Sequence, residues 1–401
     1  MASIGYYLVN SIDSLYYIDD STNAQHSKDD VTIVMAVYNE DPDMFQSSIR
    51  AVKEQGCRFI VVGDSSLEPY RSMTEELGGE FIHKEAREGK RKSIAVGMKL
   101  VETEFVLIVD SDTILPGNGV TGLLSKFTPE VGGVSGVIKI INEGNPASYS
   151  AEFTERAREV ILKSTAKRGN TLTLDGACMM FRTSVVKDFI LSKEFTEPRF
   201  LGRPGKLGDD RQLTGVVINK GFRITRNFNV IVYTRPQKTY RNYFKQQVRW
   251  SRAGWRFLFR YIRDGTLFKA GKFYAFEFLF ISVLPLSFLA LIFTKSYFFI
   301  HPFLFHSTPL SFSVLFDRFI RVFIAVPGFV NNHIDPFFEI RTLVEILNFV
   351  GVGIYAAAVS SNMLVNRLKT FAYGSIALLI LFVANIWGLM TFWKQGSWLT
   401  R

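Results

Sequence analysis

The sequence predicts an α/β domain built on a doubly wound sheet, followed by basic interfacial helices and a C-terminal transmembrane helical region. Three observations predict it. Up to about residue 270, short apolar runs ending in polar residues alternate with segments of helical spacing. Positive charge then concentrates: between Arg235 and Lys272 stand eleven Lys or Arg and one acid, Asp264, a surplus equal to the chain's net charge of +10. Beyond that segment the chain turns apolar in long uncharged runs.

The elements follow in order. Residues 1–30 have neither a basic start nor a long apolar run, and predict an N-terminal extension rather than a signal peptide or spanning helix. "VTIVMAVYN" (Val31–Asn39), "RFIVVGDSS" (Arg58–Ser66) and "EFVLIVDSD" (Glu104–Asp112) predict buried strands, with "EFIHK" a further strand-like run. "DMFQSSIRAVKEQ" and "KSIAVGMKLVE" have helical spacing between them. Strand and helix in alternation imply parallel pairing, and ligands of such sheets collect at the carboxyl ends of the strands. Asn39, Asp64, Asp110 and Asp112 fall there. Two cysteines in 401 residues, Cys57 and Cys178, argue against a disulfide framework.

After residue 270, Phe278–Thr294, Ile346–Asn366 and Thr370–Trp393 are uncharged and apolar, the last two running for 21 and 24 residues. They predict two spans and a third embedded segment, with four spans as the rival. Ser296–Phe316 is also uncharged, but two prolines and two histidines weaken it as a span. Arg367 and Lys369 place the short loop before the last run in the cytoplasm.

Several constellations carry chemistry. "DSDT" sets Asp110 and Asp112 two residues apart at a strand end, so both carboxylates point one way and suit a hard divalent cation with a diphosphate. Lys90 and Arg91 in "KEAREGKRKS" could meet phosphate oxygens or belong to a solvated loop. In "LGDDRQLT", Asp209 or Asp210 could cap a helix or present a general base. Lys245, Arg249, Arg252, Arg256, Arg260 and Arg263 recur at helical spacing as a basic stripe, beside an aromatic stripe of Tyr243, Trp250, Phe257 and Tyr261. This pattern suits a helix lying in a membrane interface, with arginines on lipid phosphates. Because the stripe abuts an apolar run, a bilayer and not a nucleic acid is the expected partner.

Taken in order, these motifs resemble the processive family 2 glycosyltransferases, which include hyaluronan synthase, the type 3 capsule synthase and bacterial cellulose synthase. The resemblance runs through "VYNE" (Val37–Glu40), Asp64, "GKR" (Gly89–Arg91), "DSDT", "GDDRQLT", the "QQVRW" signature and the closing "WLTR" (Trp398–Arg401). It implies a GT-A domain at residues 31–235, basic interface helices at 236–272, and a membrane region with a C-terminal gating segment at 273–401. It also implies an integral protein of the cell membrane, monomeric or homo-oligomeric, whose catalytic domain is cytoplasmic.

The implied reaction is hexosyl transfer, with inversion, from a UDP-sugar to a nascent polysaccharide, coupled to export; transfer of one sugar to a lipid is the alternative. Tyr38, Glu40, Asp64, Lys90, Arg91 and Asp110 would hold the nucleotide sugar. Asp110 and Asp112 would hold Mg2+ or Mn2+. Asp210, assisted by Asp209, would act as base, and Arg249 would meet the leaving diphosphate. Asp175, Gly176, Cys178, Gln246 and Trp250 would meet the acceptor, and Trp398, Thr400 and Arg401 would gate the site. Gly63 stands where the family has the first of two acids, so base contact would rest on Asp64.

Overall fold

The computed structural model describes residues 2–19, 26–306, 308–320, 322, 338–363 and 366–396. Helix α1 (Ala2–Leu15) precedes a sheet whose strands alternate with helices. In chain order these are β1 (Val31–Val37), α2 (Pro42–Lys53), β2 (Arg58–Asp64), α3 (Tyr70–Glu76), β3 (Glu80–Lys84), α4 (Lys90–Lys99) and β4 (Phe105–Asp110). Then come β5 (Thr113–Ile114), α5 (Gly119–Leu124), β6 (Val131–Ile140), α6 (Pro146–Lys167), β7 (Cys178–Arg182) and α7 (Thr183–Leu191). The short α8 (Lys193–Thr196) and the hairpin β8 (Arg199–Phe200)/β9 (Arg203–Pro204) lead to α9 (Asp209–Asn219) and β10 (Arg223–Thr234). Thus the three expected strands form to within two residues of their predicted ends.

The eight strands lie in the order β3-β2-β1-β4-β7-β6-β10-β5. The strands expected from the sequence pair in parallel, β1 with β2 and β4, and β2 with β3, while the sheet as a whole is mixed: β7 runs antiparallel to both β4 and β6, and β5 antiparallel to β10. The reversal matters for the site. Cys178, the first residue of β7, pairs with Val109, and the Asp110 amide donates to the Ala177 carbonyl. The 175–177 segment therefore sits at the carboxyl end of β4, where a parallel strand would have placed it at the other edge.

Period-2 alternation divides each strand between two cores. Ile33, Met35, Leu107 and Val109 pack with α2 and α5 on one face. Val34, Val106, Ile108 and Met179 pack with α4, α7 and α9 on the other. The second core continues without a break into α10 (Tyr240–Arg263), α11 (Thr266–Lys269) and the start of α12 (Lys272–Phe305), through Phe257, Tyr261, Leu267, Tyr274 and Phe278.

After α12 come α13 (Phe312–Phe319), α14 (Phe338–Ser361) and α15 (Arg367–Leu389). The run from Ser296 extends α12 instead of forming a separate segment; the helix continues through Pro285 and Pro302. Helices α12 and α15 are long and apolar enough to cross a membrane, and only 11% and 22% of their most apolar windows are buried. Exposed apolar surface on that scale marks contact with something other than water.

Candidate active site

Four elements converge at the carboxyl ends of β1, β2 and β4. Gly89, at φ +97°, turns the chain into α4, so Lys90 is the first helical residue rather than part of a loop. Its ammonium lies 2.5 Å from Asp110 Oδ1 and 3.3 Å from Asp209 Oδ2. It also donates to the Gly176 carbonyl at 3.4 Å. Burial works against this ammonium, but Asp110 and Asp209 outweigh it and hold the lysine pKa above its ordinary value.

Asp209 and Asp210 open the first turn of α9, where the helix dipole favours negative charge. Their environments push them apart. Burial alone would raise the Asp209 carboxyl, but Lys90 and Arg91 outweigh it and bring it below the ordinary value. Burial, then the charge of Asp209, raises Asp210. One acid is held ionised by cations while its neighbour has raised proton affinity, an arrangement that suits a base. A Cβ built on Gly176 would lie 3.6 Å from Asp210 Cβ, so this glycine borders the carboxylate.

At the end of β4, Asp110 and Asp112 are half-buried while Ser111 between them is 4% exposed. Ser111 points away and donates to Glu40 Oε2 at 3.1 Å. Among the described residues no three His, Cys, Asp or Glu side chains form a metal-holding group. Two carboxylate oxygens fit a hard cation whose remaining ligands come from water and a diphosphate. Beside them, the Arg87 guanidinium stacks on the Tyr38 ring, 3.9 Å from its centroid.

Residues 29–253 match the family model described as "Glycosyltransferase like family 2". The chain belongs to glycosyltransferase family 2. Among its relatives, the N-acetylglucosaminyltransferase of Azorhizobium caulinodans is 25% identical over 56% of this chain and 60% of the relative. That of Sinorhizobium fredii is 28% identical over 56% and 57%. Hyaluronan synthase 3 of Xenopus laevis is 25% identical over 57% of this chain and 49% of its own. The alignments thus span between about half and three fifths of these relatives. In fold, the chain resembles the mannosyltransferase PcManGT of Pyrobaculum calidifontis, solved with GDP-Man and Mn2+. The TM-score is 0.50 at 15% identity, covering 99% of this chain and 97% of the other. The mixed sheet is of the GT-A type.

This family 2 glycosyltransferase brings Lys90, Asp110, Gly176, Asp209 and Asp210 together, with Tyr38, Glu40 and Asp112 at the neighbouring strand ends. Other expected ligands lie beneath the site. Asp64 is 3% exposed and accepts from the Glu88 and Gly89 amides and from Lys84 Nζ at 2.8–2.9 Å. It anchors the loop that delivers Lys90 instead of presenting a free carboxylate. An acid could not stand at Gly63, where a Cβ would lie 2.1 Å from the Ser66 carbonyl oxygen.

Arg91 is also buried, donating to Gln212 Oε1 at 2.7 Å and to the Phe195 and Lys206 carbonyls. It braces the segment before Asp209 and does not reach open phosphate space. Asp175 is held between Arg158 and Arg226, the latter at 2.6 Å, and Cys178 is buried within the sheet. Sequence reasoning missed Arg87, Arg158 and Arg226; the charged run of α6 was the available signal for Arg158.

The basic stripe requires the largest correction. Arg252 and Arg256 were expected to meet lipid, yet they are 6% and 3% exposed. Arg256 donates to the Gly205 and Leu207 carbonyls, and burial, then Arg91 and Arg260, lowers its pKa to about 10. Arg252 donates to Thr391 Oγ1 beyond α15. Tyr243, Phe257 and Tyr261 are buried in protein, leaving Trp250 as the exposed ring of that stripe, at 40%. Helix α10 is wedged between the sheet domain and α15, with Gln246 and Arg249 half-buried on it. The reason is that the Arg256 guanidinium finds backbone carbonyls of the loop before α9 and that of Arg252 a hydroxyl beyond α15, partners that lipid phosphates would otherwise have to replace. The predicted gating residues Trp398, Thr400 and Arg401 lie outside the described residues.

Proposed function

We propose that this chain transfers a hexosyl group from a UDP-sugar to a hydroxyl of a growing polysaccharide, at the cytoplasmic face of a membrane. The pairing of an ionised Asp209 with a proton-avid Asp210 beside Lys90 carries this reading. Asp210 takes the proton of the acceptor hydroxyl as its oxygen bonds the anomeric carbon, and the bond from that carbon to the diphosphate oxygen breaks with inversion. Lys90 and Arg249 face the charge left on the diphosphate. Asp110 and Asp112 would hold Mg2+ or Mn2+, a Lewis acid that neutralises diphosphate charge when bound.

The relatives named for N-acetylglucosaminyl transfer and hyaluronan synthesis support repeated addition. The apolar, exposed α12 and α15 support a bilayer partner and export of the product. Membranes bearing the protein are to be fed single UDP-sugars and the products weighed by mass spectrometry. A ladder of sugar masses is expected. One glycolipid would assign single transfer, and no product from any UDP-sugar would overturn the donor class.

A further inference from the structure

Helix α1 is built inside out. Apart from Tyr6, its buried positions are polar: Asn10, Ser11, Asp13 and Ser14 are exposed by 0%, 0%, 5% and 6%. Its outward positions are apolar: Ile12 is 51% exposed and Leu15 47%, and just beyond the helix Tyr16 and Ile18 reach 72% and 78%. A helix on the surface of a protein in water shows the opposite pattern. Two of the inward polar side chains, Asn10 and Asp13, reach partners on other elements. Asn10 Nδ2 donates to Glu277 Oε1 of α12 at 2.8 Å. Asp13 accepts from Ser164 at 3.1 Å and is paired with Lys167 and Arg168 at the end of α6. These contacts fix the rotation of α1, so the apolar face is held outward and cannot turn in.

We propose that α1 is a membrane-embedded anchor whose Ile12, Leu15, Tyr16 and Ile18 contact lipid acyl chains. The inference rests on the bilayer reading above. Continuity with the membrane helices argues for lipid as the occupant. Helix α1 packs on α14, and Tyr6 stacks on Phe280 of α12 at 4.1 Å between centroids. Phe276 and Val283 of α12, exposed by 43% and 48%, line an apolar groove with Phe280 next to this contact. Fourteen residues measure about 21 Å, short of the roughly 30 Å hydrocarbon core. The described part of helix α1 therefore reaches into one leaflet.

Quenching in proteoliposomes of the full chain tests the proposal. Cys57 and Cys178 are buried, so single new cysteines label selectively. Fluorophores are placed by I12C and by L15C, with F293C on exposed α12 and S47C on exposed α2 as references. Each is exposed to acyl-chain nitroxide lipids and to aqueous iodide, and transfer activity verifies the fold of each variant. The expected result is that Ile12 and Leu15 positions follow Phe293, with several-fold stronger quenching by nitroxide than by iodide. If they follow Ser47 while Phe293 remains lipid-quenched, the anchor is refuted and the bilayer reading stands. If Phe293 also answers to iodide, the bilayer reading itself falls. Silence to both quenchers at Ile12 and Leu15 would mean that protein covers the face, which also refutes the anchor.

Discussion

Replacing Gly208 by alanine tests how the proposed catalytic pair, Asp209 and Asp210, is aimed. Gly208 is left-handed, at φ +75° and ψ +50°, immediately before Asp209. A non-glycine residue there costs roughly 1–2 kcal/mol. Its Cβ would also lie 2.6 Å from Phe257 Cε2 and 3.3 Å from Ala253 Cβ. Carbon atoms rest at about 3.5–4.0 Å, so the gap must open by roughly 1 Å. Phe257 is fully buried in the core and has no room to swing, so the start of α9 yields instead. Overpacking of this kind costs roughly 1–3 kcal/mol, which brings the total to about 2–5 kcal/mol. A 1 Å displacement of a reacting group lowers rate by on the order of a hundredfold. Sugar transfer at saturating donor and thermal unfolding in detergent measure the two effects. Phe257→Leu in the same chain should recover part of both. A Gly208→Ala protein with unchanged rate and midpoint would refute the argument that this contact aims Asp209 and Asp210.

Further expectations concern charge. Asp210→Asn should lower transfer by about a hundredfold to ten-thousandfold while UDP binding, read by calorimetry, is kept; near-normal turnover removes it as the base. Asp209→Asn removes a charge that raises Asp210, so the acid limb of the kcat/KM profile should move to lower pH; an unmoved limb separates the two acids. Chelation should abolish transfer, and Asp112→Ala should mimic it; full activity in chelator would leave Asp110 and Asp112 as turn residues. Asp175→Asn breaks a buried ion pair and should cost about 3–5 kcal/mol near neutral pH. Burial raises the Asp175 carboxyl, but Arg158 and Arg226 outweigh it and lower it, so its contribution exists above the unfolded-state pKa. That contribution is lost as pH falls through the folded value, and unfolding midpoints of the two proteins should then converge.

The sequence by itself determined the strand cores, the acids at strand ends, the acid pair that opens α9 and the apolar helices. Each of these is written in local periodicity or in neighbours a few residues apart, and survives any packing. Tertiary structure decided what those groups touch. Asp64 reads as a ligand from its place at a strand end, yet its two oxygens are taken by amides 24 and 25 residues away. Arg256 reads as lipid-facing from helical spacing, yet its carbonyl partners lie 49 and 51 residues earlier. The antiparallel entry of β7, which brings Gly176 to Lys90 and Asp210, has no signature in the residues of β7 itself. Helix α1 shows the same limit, because its polar residues face inward only where α6 and α12 supply Arg168 and Glu277. A hydrogen-bonding side chain carries its chemistry in the sequence, but its direction is set by whichever donor or acceptor the fold places within about 3 Å.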